Sequence, residues 1–187
     1  MDIGESVLIP SMEDSEEKKE EPKKCRFMAR AKRPSGEGPW WSAGKLGGTG
    51  DSDDLTGHSF CAHENEGGTR TWYGFYPKGA IVGWENVSEE DQIAGPQDFF
   101  KYVAGVLYGG DASHDYDDEK VYDIERHQFD TAEKFASEWK AAKTKYSLAL
   151  NNCTTFVVKD GRAAKVVVPS GGWAFANPAS FGKNLAK

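Results

Sequence analysis

An α+β fold, an antiparallel sheet packed against helices, is predicted by three observations along the 187-residue chain. Two β-prone runs flank a Glu-Gly-Gly turn, a helical segment carries Phe135 and Trp139 four residues apart, and 21 glycines with 8 prolines supply frequent turns. The hairpin comes first. "GHSFCAHEN" and "TRTWYGFYP" alternate as strands around the glycine turn, and Pro77 closes the second of them.

The remaining elements follow in order. Residues 97–108, "QDFFKYVAGVLY", place Phe99, Val103, Val106 and Leu107 at helical spacing, which predicts a helix interrupted by Gly105. The next run, "GGDASHDYDDE", is a polar loop of solvated turns, without the glycine and terminal glutamate of an EF-hand. "KVYDIERHQF" reads as a strand. Asp130 or Thr131 then caps a helix over 132–145, with Glu133 in capping-box position. After "YSLALNN" a short helix is expected from Cys153 to about Asp160, stopped by Gly161, and "NPASFGKNLAK" forms a last helical turn.

Upstream, the composition differs. The charged run "DSEEKKEEPKK" and the Gly, Pro, Ser and Asp-rich stretch beyond it bury little apolar surface. Residues 1–47 are therefore expected to form a polar, partly disordered arm pinned by Trp40 and Trp41, and residues 48–187 the single functional domain.

Composition excludes several functions. A net charge of −7 with no basic cluster argues against nucleic acid and anionic lipid as partners. Three dispersed cysteines without a CxxC pair give neither a zinc signature nor a disulfide framework, so no metal and no cofactor is expected. The acidic N-terminus with its short "VLIP" run is read as neither a signal peptide nor a transmembrane segment.

Cys153 is the candidate nucleophile. A thiol at a helix N-terminus faces unpaired amide hydrogens and the positive end of the helix dipole, which favours the thiolate, and Asn152 before it is a natural N-cap. Nucleophilic work requires a histidine in reach. His58, after Gly57 at the start of a strand, is the choice among four. His63 near the turn, His114 in the loop and His127 mid-strand read as surface residues, and Cys61 as a poor nucleophile.

"GHSF", the aromatic second strand and "NNCTTFV" together resemble, over residues 56–168, the circularly permuted papain-like cysteine hydrolases: the NlpC-type peptidases and lecithin retinol acyltransferase relatives. The resemblance implies that Cys153 attacks an amide or ester carbonyl, with His58 as its base and Phe156 a core anchor. Those families orient the imidazole with a polar residue on the next strand. Here Tyr73 is the candidate for that role, with His63 or Glu64 as alternatives from the turn. The resemblance extends to antibacterial toxins of type VI secretion. It implies a thiol protease or amidase acting on peptidoglycan peptide, made in the cytoplasm and delivered without a signal peptide to a rival's periplasm. An immunity protein and a secretion-apparatus carrier are the implied partners. A lipid acyl hydrolase or acyltransferase with the same Cys/His pair, and a non-catalytic binding module, are the alternatives.

Overall fold

The computed structural model describes residues 24–33, 57–94, 96–109, 114–172 and 176–187. Six strands, β1 (Cys25–Lys32), β2 (His58–Glu64), β3 (Arg70–Pro77), β4 (Val103–Tyr108), β5 (Asp118–Ile124) and β6 (Lys145–Tyr146), form one antiparallel sheet in the order β5-β1-β2-β3-β4-β6. Helix α1 (Lys78–Val82) follows β3, and three short 3-10 turns lead into β4. Helices α2 (Arg126–Ala141), α3 (Cys153–Ala163) and α4 (Pro178–Leu185) pack against the sheet, so the predicted α+β class holds. Among the described residues no helix is long and apolar enough to cross a membrane.

The largest departure from expectation is β1. Residues 25–32 lie within the expected arm, yet they form a central strand paired on both sides, to β2 and to β5. Its "CRFMARAK" alternates strictly. Cys25, Phe27, Ala29 and Ala31 are buried in the main core, while Met28 belongs to a smaller cluster with Phe60, Ala62 and Trp72. Small and basic residues disguise a period of two inside a charged neighbourhood. Trp40 and Trp41, expected to pin the arm, lie outside the described residues.

Two helical expectations also moved. The segment 97–108 is no helix: a 3-10 turn at Pro96–Asp98 gives way to strand β4. Gly105, read as a helix defect, lets the strand pass against Phe75 and the carbonyl of Thr144, where any side chain would collide. Helix α2 begins at Arg126, earlier than expected, and takes in "RHQF" from the expected strand. Its capping box joins Glu125 and Gln128, not Asp130 and Glu133, which leaves Glu133 free to face the sheet. The Phe135 and Trp139 rings meet on that helix in a tilted pair at 5.6 Å, and both approach the buried Phe156 ring. Helix α3 runs through Gly161 to Ala163, because Gly161 fits beneath Val168 rather than ending the helix.

A central β1 makes residues 25–32 essential to folding. A chain lacking residues 1–47 is expected to lose its cooperative unfolding transition and near-ultraviolet circular dichroism, whereas loss of a dispensable arm would leave both unchanged. Phe27→Ala, at a fully buried site, is expected to cost about 3–5 kcal/mol in denaturant unfolding.

Candidate functional site

Cys153 opens α3, and the local sequence explains why the helix starts there. The Asn152 side chain accepts from the Thr155 amide at 3.0 Å, and its amide group donates to the carbonyls of Leu148 (2.8 Å) and Ala176 (2.6 Å). The cap therefore ties the helix to the preceding loop and to the last segment of the chain. One residue on, the buried Thr154 hydroxyl meets that of Ser59 on β2 at 2.8 Å. The N-terminus of α3 thus sits at the start of β2, next to the chain positions of His58 and Cys153.

His58 itself lies on the other face of β2 from Ser59. Along β2 the residues alternate: Ser59, Cys61 and His63 face the helices, while Phe60 and Ala62 belong to the small cluster on the far face. His58 follows Phe60. Its buried ring stacks on Tyr76 at 4.3 Å, lies 5.7 Å from Phe60 and 5.3 Å from His114. Cys153 is also buried, and no hydrogen bond reaches its thiol from the described residues. The structure brings the two chain segments together, and among the described residues no hydrogen bond joins His58 to Cys153.

Tyr73 stands elsewhere. It pairs with Cys61, three residues along β2 from His58, and its hydroxyl donates to Glu133 at 3.0 Å on the helix face. Burial and the Glu133 carboxylate push its pKa up, so the hydroxyl stays protonated. It does not orient His58. Glu64 is taken by Arg26 and Arg70. His127 is exposed in the first turn of α2 beside Glu125, not on a strand. His114, read as a solvated loop residue, is half-buried against His58 and Phe60.

Comparison with family models, with curated proteins and with solved structures finds no match. The site therefore rests on its own geometry, and that geometry contains a second group of residues.

His63, expected at the surface, is fully buried and bridges two helices. Its Nδ1 lies 2.7 Å from Glu133 Oε1 on α2, and its Nε2 lies 2.8 Å from Asp160 Oδ2 on α3. The Cys61 thiol donates to the same Asp160 oxygen at 3.2 Å. Burial pulls the imidazole pKa down, but the Asp160 and Glu133 carboxylates outweigh it and hold it up at about 9. Burial likewise opposes ionisation of Glu133, and the bonds from His63 and Tyr73 overcome it, leaving that carboxyl below its ordinary pKa. Sequence carried two signals of this group. Cys61 and His63 are two residues apart on one strand, hence on one face, and Asp160 interrupts the apolar stripe of Phe156 and Val157 on α3.

The helix and the strand match in length. Thr154 to Asp160 spans about 9 Å of helix, and Ser59 to the midpoint of Cys61 and His63 spans about 10 Å of strand. Two polar contacts can therefore pin α3 along β2 at once, which fixes the position of Cys153.

Because the His63 pKa stands above its unfolded value near 6.5, its stabilisation is complete below pH 6.5 and disappears as pH rises through about 9. Chemical unfolding in chelator-containing buffer is expected to show a loss of up to about 3 kcal/mol across that window, and His63→Gln should flatten the profile there. A wild-type profile flat between pH 7 and 10 would contradict the buried ion pair.

Proposed function

We propose that the protein is a thiol-dependent amidase or peptidase in which Cys153 is the nucleophile and His58 the general base. The observation that carries this reading is the placement of Cys153 in the first turn of an eleven-residue, Asn-capped helix, registered on the start of the His58 strand through Ser59 and Thr154. Amides of that first turn supply hydrogen-bond donors for a tetrahedral oxyanion. The His58 ring, stacked on Tyr76 in this state, turns toward the thiol when substrate is bound, since catalytic hydrogen bonds often tighten only in the substrate complex. Tyr76 and His114 are the neighbours that orient it, in the place the sequence suggested for Tyr73.

In the reaction the Cys153 thiolate attacks the carbonyl carbon, and the electron pair moves to the carbonyl oxygen. Collapse of the tetrahedral adduct breaks the C–N bond as His58 donates its proton to the departing amine. Water then releases the acyl group. The substrate class we assign is bacterial cell-wall peptide, with the chain acting as a delivered antibacterial toxin checked by an immunity protein. The motif resemblance supports that assignment, and the net charge of −7 favours it over action at an anionic lipid surface.

The direct test is mass spectrometry of peptidoglycan fragments after incubation with wild type and Cys153→Ala. A bond cut by wild type alone is expected. His58→Ala should lower turnover by about 10²–10⁴-fold, and Tyr73→Phe should leave it close to wild type. Fatty acid released from phospholipid vesicles instead would transfer the same pair to lipid chemistry. Wild-type turnover in Cys153→Ala would remove the mechanism.

A further inference from the structure

The group around Asp160 has a composition that a simple ion pair does not require. Cys61, His63 and Asp160 offer a sulfur, a ring nitrogen and a carboxylate oxygen, all within 4.8 Å of one another and all buried. Asp160 Oδ1 is buried and has no hydrogen-bond partner. Leaving a carboxylate oxygen dry and unmatched is costly, so an unseen ligand at that point has a physical reason to bind.

We propose that Cys61, His63 and Asp160 form an interior binding site for a zinc-like divalent cation, seated between β2 and α3. The mixed S, N and O donor set suits zinc and its cobalt surrogate rather than calcium or magnesium, which take oxygen ligands. Glu133 completes the pattern from outside. Its Oε1 accepts from His63 Nδ1 at 2.7 Å, the carboxylate-histidine arrangement that fixes the tautomer of a metal-binding ring, and Tyr73 holds its other oxygen at 3.0 Å. With Nδ1 committed to Glu133, Nε2 is the ligand atom. Asp160 Oδ2 is the carboxylate ligand atom, and the cation's charge beside the same carboxylate compensates its unmatched Oδ1.

The donor atoms need little movement. Ligands at ordinary zinc distances stand about 3.4–3.6 Å apart, against 2.8 Å and 3.2 Å for the present contacts to Asp160 Oδ2. Spreading them by roughly half an ångström opens the site. The cation displaces the thiol proton of Cys61 and the Nε2 proton of His63, so two positive charges enter as two protons leave. The buried group keeps its net charge, which removes the main electrostatic penalty of loading. A site sealed from solvent is structural, and it closes around metal during folding.

The test is production of the whole chain in minimal medium with cobalt(II) as the added transition metal. About one cobalt per chain is expected, with a thiolate-to-cobalt charge-transfer band in the near ultraviolet. Cys61→Ser should abolish the band, and Cys25→Ser and Cys153→Ser should retain it. Cobalt-edge X-ray absorption of wild type gives an answer even if Cys61→Ser does not fold: one sulfur among nitrogen and oxygen neighbours supports the site. Metal-free wild type, a shell without sulfur, or a band that survives Cys61→Ser would overturn it.

Discussion

The contact on which most of the molecule depends is the one His63 makes with two carboxylates from different helices. Glu133 arrives from α2 and Asp160 from α3, and both meet a ring on the central strand β2. Burying these groups has a large desolvation cost, offset only when each charge is matched closely. The match is positional as well as energetic, because each ring nitrogen meets a carboxylate from a different helix. Apolar packing by Phe27, Phe75, Phe156 and Val157 supplies most of the burial, but such contacts tolerate sliding. A buried bidentate ring does not.

That constraint separates the two faces of the sheet chemically. On the helix face, polarity is concentrated at Cys61, His63 and Asp160, deep in the core. On the far face, aromatic and charged side chains interleave: the Arg30 guanidinium lies 4.3 Å from Trp72 and 3.9 Å from Tyr116 while donating to Glu119 at 2.5 Å. His58 belongs to this second set by its ring contacts and to the first by its position at the start of β2. Cys153 lies at the same end of the sheet, at the start of the helix that Thr154 joins to Ser59.

Much of the architecture was readable where one physical signal dominated. The hairpin announced itself by alternation around two glycines, α2 by its aromatic spacing, and the start of α3 by Asn152 before an apolar run. Elements failed to show where two signals competed. Val103, Val106 and Leu107 satisfy a helical period as well as a strand's two buried ends, and Gly105 is decisive only once Thr144 is beside it. β1 hid in a charged segment because alanines and arginines carry weak strand preference, and its partners lie far along the chain. Of the site, the cap and the nucleophile position were legible. The grouping of Cys61 and His63 with Glu133 and Asp160 was not: the shared strand face and the polar break in α3 are visible separately, but partners about 70 to 100 positions away are chosen by tertiary packing.

The position of β1 also bears on how the molecule is made. Among the described residues the first strand in chain order is an interior one, and one of its edges is matched by β5, some ninety residues later. Until then a nascent chain exposes one row of unpaired backbone amides and carbonyls after β2 has covered the other. The arginines and lysine that obscured this strand in the sequence place positive charge along it, and charge on an exposed edge disfavours pairing with another chain. In the finished sheet the same cations are matched, Arg26 and Arg30 by Asp123 and Glu119 and Lys32 by Asp115.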